Sequence, residues 1–231
     1  MSTAPARRRT PPRRRPSKAS RVATAVAGGF LAVLVAVTAI TAATGPEPQA
    51  QAEVPLVRED SHYLSDAGPD APVLVEFLDL ECEGCAAVYP TVEELRTEYE
   101  GRLSVVARYF PRPGHPNSET AAVAVEAAAG QGAFEGMYQR MYETQQAWSH
   151  QEASQAAVFR GYADDLGLDL AAYDAAVADP ATLARVGQDM ADGQALGVQG
   201  TPTFFLDGQR IEPTSPDHFR ELVDQALADT P

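Results

Sequence analysis

The chain contains two cysteines, Cys82 and Cys85, which are separated by two residues. They follow the apolar run at residues 73–80 and precede a segment with helical periodicity. Two thiols with this spacing, at a junction between a strand and a helix, can form and open a disulfide. We expect Cys82, in the first helical turn, to be the attacking thiolate, because unpaired backbone N–H groups and the helix dipole stabilise an anion there. Cys85, one turn further along, would then be the resolving thiol.

Two other uses of a cysteine pair compete with this interpretation. A structural disulfide would also form in an oxidising compartment, but a bridge across two residues closes a very short loop and constrains the unfolded chain little. A tetrahedral metal site would need two further ligands. The four histidines show no paired spacing that would supply them: His62, His115, His150 and His218. We therefore expect redox chemistry by the dithiol itself, with no metal and no cofactor.

Glu76 is a carboxylate within the apolar run that precedes the cysteines. A buried carboxylate is costly unless it has a task, and here it could accept the proton of Cys85 during exchange. The alternative is a position at the edge of the sheet, where Glu76 would simply face water. Two further acids beside the dithiol, Asp79 and Glu81, are expected to be solvated.

A second distant segment of interest is Gly200-Thr201-Pro202-Thr203, just before a predicted hairpin. Proline cannot donate a hydrogen bond within a sheet, so a proline ahead of a strand needs an explanation. One explanation is a cis peptide bond that presents the backbone of Thr201 to a partner chain. An ordinary turn with a trans proline is the default alternative.

The elements that must position these residues follow from the hydrophobic periodicity. The run at 73–80 is typical of a strand buried on both faces, and residues 103–110 indicate a second strand. One helix separates the two strands, which predicts a βαβ unit with parallel pairing. The sheet resumes with a hairpin at 203–211 that turns at Asp207-Gly208, and a last helix begins near Ser215-Pro216. Between the two parts of the sheet, five segments have a helical pattern: 118–129, 133–146, 151–166, 170–178 and 180–196.

The N-terminal region differs in composition from the rest of the chain. Residues 1–21 carry eight basic side chains and no acidic ones, and residues 22–44 are uncharged. As a helix, 22–44 would span about 34 Å, enough to cross a hydrocarbon core of roughly 30 Å. We expect a transmembrane anchor there, with 1–21 as a cytoplasmic tail, 45–60 as a linker and the remainder outside the cytoplasm. The alternative is a secretory signal that is cleaved after Ala50-Gln51-Ala52, which would release the protein.

The charge of the exported part excludes one class of partner. Beyond residue 21 there are ten Lys and Arg against 32 Asp and Glu, a net charge near −22. Phosphate backbones would repel such a surface, so nucleic-acid binding is not expected.

Taken together, Glu76, the Cys82-x-x-Cys85 motif and the Thr201-Pro202 segment resemble the thioredoxin superfamily, and specifically its DsbA-like branch. The resemblance covers about residues 61–228 and implies an α/β thioredoxin-like fold with an inserted all-helical subdomain at about 117–196. It implies that Cys82 attacks, Cys85 resolves and Glu76 is the buried proton acceptor. It also implies that the Thr201 backbone pairs with a substrate strand and that Pro202 is a cis-proline facing the dithiol.

The resemblance implies a protein disulfide oxidoreductase, most simply an oxidase for exported proteins that a membrane redox partner reoxidises. Strongly oxidising members carry a histidine before the second cysteine, where this chain has Gly84, and Glu81 and Glu83 lie nearby. Less stabilisation of the thiolate would make the dithiol a weaker oxidant. Two alternatives therefore stay open: a reductase or isomerase of the same fold, and a non-catalytic peptide-binding or chaperone module.

Overall fold

Strand β2 (Val73–Leu78) lies at the centre of a five-stranded sheet in the computed structural model, which describes residues 54–229. The strands are arranged in the order β1-β3-β2-β4-β5. Strand β2 pairs in parallel with β3 and antiparallel with β4, while β1 pairs antiparallel with β3 and β5 antiparallel with β4. The other strands are β1 (His62–Ser65), β3 (Ser104–Tyr109), β4 (Thr203–Leu206) and β5 (Gln209–Ile211).

Helix α1 joins β2 to β3, six helices lie between β3 and β4, and α8 ends the described part of the chain. This arrangement confirms the predicted α/β thioredoxin-like fold class, including the parallel βαβ unit and the helical insertion. The helices are α1 (Glu83–Glu98), α2 (Ser118–Ala129), α3 (Phe134–Glu143), α4 (Gln145–Trp148), α5 (Ala156–Asp165), α6 (Leu170–Ala178), α7 (Pro180–Ala195) and α8 (Pro216–Asp229).

Helical boundaries depart from the sequence pattern at two places in the insertion. The single helix predicted at 133–146 is divided at Thr144, whose hydroxyl donates to the carbonyl oxygen of Arg140 at 2.6 Å and competes with the backbone hydrogen bonds. The helix predicted from 151 begins only at Ala156. The Asn117 side chain holds the intervening segment in a non-helical form, because it donates to Gln151 O at 2.7 Å and accepts from the Gln155 backbone N–H at 2.8 Å.

Strand β1 was not predicted from the sequence. Its four residues are too few and too polar to show a period, and their position is fixed by antiparallel pairing with β3. The hairpin, by contrast, turns at Asp207-Gly208 as expected, and both residues have positive φ angles of 46° and 80°. Two successive positive φ angles match the right-handed twist of the strands that the turn joins.

The side chains of β2 alternate between two apolar clusters on opposite faces of the sheet. Leu74 and Leu78 belong to the larger cluster, which includes both cysteines. Val75 and Phe77 belong to the smaller one. Because successive strand residues point to opposite faces, Glu76 shares its face with Leu74 and Leu78. The central strand therefore carries a carboxylate into the larger cluster.

Helix α7 packs closely against the face of the smaller cluster. A Cβ atom at Gly193 would lie 2.8 Å from the ring of Phe110 and 3.0 Å from that of Phe77, closer than real side chains approach. Asp189 lies one turn earlier on α7 and is fully buried. It accepts from Arg108 Nε at 2.6 Å, so α7 is fixed to the sheet by both close packing and an ion pair.

Arg108 also holds the segment that enters the domain. Its guanidinium is buried, donates to Asp192 Oδ2 at 2.6 Å and donates to the carbonyl oxygen of Leu56 at 2.5 Å. Arg58 forms a further ion pair with Asp192 at 3.3 Å. Residues 55–60, which the sequence assigned to a linker at 45–60, are therefore attached to the folded unit.

The predicted tail and anchor, residues 1–21 and 22–44, lie outside the described residues. Within residues 54–229, none of the helices combines the length and apolar composition required to cross a membrane.

Replacing Arg108 by methionine should destabilise the fold strongly. The substitution removes one of the two arginines that pair with the buried Asp189 and leaves only Arg185, at 2.7 Å. Breaking a buried pair costs about 3–5 kcal/mol. Urea unfolding of the full chain would measure the change. Arg160→Met is a matched control, because Arg160 pairs with Asp174 at the exposed surface and its loss should hardly move the midpoint. Equal effects of the two substitutions would contradict the assigned role of Arg108.

Candidate redox site

Cys82 is the N-cap residue of α1, with φ −74° and ψ 124°, and its carbonyl oxygen accepts the backbone N–H of Ala86 at 3.1 Å. Cys85 lies in the first turn and is completely buried, whereas Cys82 is 4% exposed. Both thiols are free. The helix thus begins at Glu83 with its unpaired N–H groups directed toward the side of the first thiol.

The Thr201-Pro202 segment faces Cys82, as the resemblance implied. The peptide bond between these two residues is cis. Cys82 Sγ lies 3.4 Å from the Thr201 carbonyl oxygen. A Cβ atom at Gly84 would lie 3.3 Å from Pro202 Cδ and 3.5 Å from Cys82 Sγ, so glycine allows the proline ring to approach the dithiol closely. Residues separated by more than a hundred positions therefore meet at one sulfur atom.

The surroundings of Cys82 favour its anion and lower its pKa to about 5. The largest cause is a hydrogen bond from the Cys85 side chain, and burial of the sulfur acts in the opposite direction. The Thr201 side chain and the backbone N–H groups of Cys85 and Gly84 lower the pKa further. The first thiol is accordingly ionised at neutral pH, as an attacking thiolate must be.

The pKa of the second thiol is shifted in the opposite direction. Burial raises the pKa of Cys85 well above its usual value, and its hydrogen bond to Cys82 and the nearby charge of Glu76 raise it further. The pKa of Glu76 is itself raised to about 8, mainly by burial and then by the negative charges of Cys82 and Glu93. A protonated thiol and a carboxyl group with a pKa of about 8 therefore influence one another.

The position of Glu76 decides between its two interpretations. It lies in the central strand, opposite Ala107 on one side and Phe204 on the other, and only 2% of it is exposed. The sheet-edge alternative is therefore wrong. Its role as a proton acceptor stays a prediction.

Asp79 and Glu81 were expected to be solvated, and that expectation is wrong, because both are buried. Asp79 accepts from the backbone N–H of Arg112 at 3.0 Å and contacts His115 Nδ1 at 2.6 Å. Glu81 accepts from the backbone N–H groups of Asn117 and His150, each at 2.7 Å. These donors replace the water that the carboxylates lose on burial.

The helical insertion also holds the backbone next to the nucleophile. Gln145 Nε2 donates to the carbonyl oxygens of Leu80 at 2.7 Å and Cys82 at 3.0 Å, and it is buried. The Tyr142 hydroxyl lies 3.5 Å from the carbonyl oxygen of Asp79. Sequence analysis did not identify either residue, because nothing in the pattern of an amphipathic helix distinguishes them from ordinary core residues.

Two histidines flank the outer side of the site. The rings of His115 and His150 are 5.8 Å apart, and His150 Nε2 lies 2.8 Å from Glu83 Oε1 at the exposed surface. The predicted scheme gave no role to either histidine. Among residues 54–229, no group of three or more His, Cys, Asp or Glu side chains is arranged to hold a metal ion.

The raised pKa of Glu76 and the lowered pKa of Cys82 have opposite effects on the stability of the reduced protein. For Cys82, stabilisation is complete above the usual pKa of 9.0 and is lost as the pH falls through about 5. For Glu76, stabilisation is complete below the usual 4.5 and is lost as the pH rises through about 8. Between pH 5 and 8 the two contributions oppose one another.

Glu76→Gln should therefore make the stability of the reduced protein rise with pH between 5 and 8 more steeply than that of the wild type. Urea midpoints of the full reduced chain across this range would measure the difference. Glu152→Gln, which changes an exposed acid in the same way, should keep the wild-type profile. Parallel profiles for wild type and Glu76→Gln would show that Glu76 titrates normally.

The chain matches known proteins in both sequence and fold. A protein-family model described as Thioredoxin matches residues 68–225, more than half of the chain. The Na⁺/H⁺ antiporter NhaA of Herminiimonas arsenicoxydans is 36% identical over 165 residues, which cover 69% of this chain and 25% of that protein. NhaA 1 of Mycobacterium sp. strain KMS is 37% identical over 170 residues, which cover 71% and 26%. The chain thus spans about a quarter of the length of these curated relatives.

Solved structures with the same fold include two bacterial proteins. Wolbachia pipientis α-DsbA1 superimposes with a TM-score of 0.67 at 18% identity, over 77% of this chain and 96% of that one. Oxidised BdbD from Bacillus subtilis superimposes with a TM-score of 0.64 at 17% identity, over 73% and 93%. At these identities the likeness concerns the fold. The match over residues 68–225 shows that the chain belongs to the thioredoxin family, and its described part has the fold of DsbA-type thiol:disulfide oxidoreductases.

Proposed function

We propose that this protein is an extracytoplasmic thiol-disulfide oxidoreductase that forms disulfides in exported proteins through Cys82 and Cys85. The observation that carries the proposal is the opposite perturbation of two thiols within one helical turn. The pKa of Cys82 is lowered to about 5, and that of Cys85 is raised. A structural disulfide does not require this asymmetry, whereas directional exchange does.

The low pKa of Cys82 supports net oxidation. A stabilised thiolate favours the reduced form of the dithiol, so the oxidised form gives up its disulfide more readily. Sequence reasoning expected Glu81 and Glu83 to weaken this thiolate. Glu81 instead accepts two backbone N–H groups, and Glu83 is paired with His150. These contacts reduce the expected penalty from the neighbouring acids.

Exchange in the oxidising direction begins when a substrate thiolate attacks Cys82 Sγ of the Cys82–Cys85 disulfide. A bond forms between the substrate sulfur and Cys82, the bond between the two cysteines breaks, and Cys85 leaves with the electron pair. Because the pKa of Cys85 is high, its sulfur must be protonated, and protonated Glu76 can supply that proton. A second substrate thiolate then attacks the substrate sulfur, and Cys82 leaves as the stabilised thiolate. The substrate gains a disulfide and the dithiol is reduced.

Substrate chains would bind beside the cis peptide bond. A groove of about 380 Å³ adjoins Pro202 and is lined by Val88, Pro202, Thr203, Phe204, Arg210, Ile211, Glu212 and Pro213. Its lining includes several apolar side chains, and Arg210 and Glu212 add one charge of each sign. Together with the half-buried Thr201, this surface suits an extended, unfolded segment that carries a cysteine.

Location and partners belong to the same proposal. We expect residues 22–44 to anchor the protein, with the domain on the extracytoplasmic side, where a membrane redox protein would reoxidise the dithiol. The basic cluster at 1–21 and the uncharged stretch that follows it support this orientation. The antiporter relatives share only the matched domain with this chain, and ion transport is not part of the proposal.

The reduction potential of the Cys82/Cys85 couple should lie between that of thioredoxin, about −270 mV, and that of a strong oxidant, about −120 mV. The reason is the pKa of Cys82, which lies between the values of about 7 and about 3.5 that accompany those potentials. Equilibration of the full chain with glutathione buffers would measure it. A potential near that of thioredoxin would favour the reductase or isomerase alternative.

The double substitution Cys82→Ser, Cys85→Ser tests whether the function requires the dithiol. It should abolish disulfide formation in a reduced, unfolded test protein, while serines preserve the approximate shape of the site. A non-catalytic peptide-binding or chaperone function would survive the substitution. Full retention of cellular function by this variant would therefore refute the oxidoreductase proposal.

Fractionation of cells that produce the full chain should place the protein in the membrane, with the domain accessible to protease from outside. An anchored protein keeps its N-terminal residues, whereas cleavage near Ala52 would release a shorter form. Mass spectrometry of the mature N-terminus distinguishes these outcomes. Recovery of the shortened form in the soluble extracytoplasmic fraction would contradict the proposed anchor.

A further inference from the structure

We propose that Gln145 is a positioning residue of the redox site, through which the helical insertion fixes the backbone of the nucleophile. Gln145 opens the short helix α4 and is not part of the dithiol or of the Thr201-Pro202 segment. The proposal deepens the proposed function and rests on it, since it assigns a further residue to the same site.

A single side-chain amide group bridges two backbone carbonyl oxygens. Gln145 Nε2 lies 2.7 Å from Leu80 O and 3.0 Å from Cys82 O. Both distances are those of good hydrogen bonds, and an amide nitrogen has two hydrogens to donate. The side chain is 4% exposed, so water does not readily replace it. One residue of the insertion thus holds the chain on both sides of Glu81.

The orientation of Gln145 depends on the division of the insertion helix. Helix α3 ends at Glu143, and the chain re-enters a helix at Gln145 after the non-helical Thr144. Trp148 is completely buried, and its Nε1 donates to the carbonyl oxygen of Met141 at 3.2 Å. The short helix is therefore anchored in the core at its far end, and the amide at its start has a fixed direction.

The position of the Cys82 carbonyl oxygen is coupled to that of the Cys82 sulfur. It also accepts the first backbone hydrogen bond of α1, from Ala86 at 3.1 Å. The direction of this oxygen is determined by ψ of Cys82, and the same angle determines where Sγ lies relative to the N–H groups of Gly84 and Cys85. Those N–H groups stabilise the thiolate. Fixing the carbonyl oxygen therefore also fixes the sulfur in its stabilising surroundings.

Neighbouring hydrogen bonds also join the helical insertion to the segment that precedes Cys82. Tyr142 reaches the carbonyl oxygen of Asp79, and Glu81 accepts the backbone N–H groups of Asn117 and His150. Gln145 differs from these contacts because it alone among them reaches the backbone of the nucleophilic cysteine itself.

The test is the pH dependence of Cys82 alkylation by iodoacetamide in the reduced full chain. The wild type should show a midpoint at about pH 5. Gln145→Met keeps the length of the side chain but cannot donate, so the midpoint should move to higher pH. Loss of one neutral hydrogen bond predicts a fall of about three-fold in the alkylation rate at pH 5, relative to the rate at pH 8. The reduction potential should become more negative at the same time.

Gln146→Met is the matched control, because Gln146 is adjacent and exposed and the chemical change is identical. It should retain the wild-type alkylation profile. A Gln145→Met protein that folds cooperatively and keeps the wild-type midpoint would overturn the proposal, since a purely structural residue alters stability without moving this profile.

A second variant covers the case in which Gln145→Met does not fold. Gln145→Leu likewise cannot donate a hydrogen bond and adds no charge beside the thiol, so it should move the midpoint in the same direction. An unchanged midpoint in this variant would also overturn the proposal. The outcome is separable from the proposed function: if the wild type forms no disulfides but the Gln145 variants still shift the alkylation profile, the positioning role stands and the oxidase function fails.

Discussion

The constraint on which the site depends is the placement of one thiol at the N-terminus of a helix and of the other inside the core. Cys82 gains the hydrogen bond from Cys85 and the N–H groups of the first turn, while burial keeps Cys85 protonated. A separation of two residues gives this asymmetry because the helix begins between the two cysteines, at Glu83. A start one turn earlier or later would make the two environments alike and remove the difference in acidity that drives directional exchange.

Local sequence signals predicted the parts of the fold that have strong periodicity. The buried strand at Val73–Leu78, the helix after the cysteines and the turn at Asp207-Gly208 all follow from spacing or from backbone preferences. The meeting of Cys82 with the Thr201-Pro202 segment could be proposed only through the resemblance to a family. Nothing in either segment alone specifies a contact between residues 119 positions apart.

The features that the sequence did not reveal depend on donors from distant segments. Asp79 and Glu81 look like surface acids, but Arg112, Asn117 and His150 supply backbone N–H groups that compensate for their burial. The same reason explains the late start of α5, where the Asn117 side chain replaces helical hydrogen bonds. Such contacts depend on tertiary register, which periodicity does not encode.

These contacts change how the helical insertion is understood. A lid that merely covered the dithiol could be removed without altering the chemistry of the sulfur. Here the insertion satisfies the Glu81 carboxylate and donates to the carbonyl oxygen of Cys82. If these donors were missing, the buried carboxylate of Glu81 would lie beside the nucleophile with unsatisfied oxygens, and its effect on the thiolate would not be offset. The insertion is therefore part of the electrostatic environment of the redox site, and two acids can lie beside a thiol whose pKa remains low.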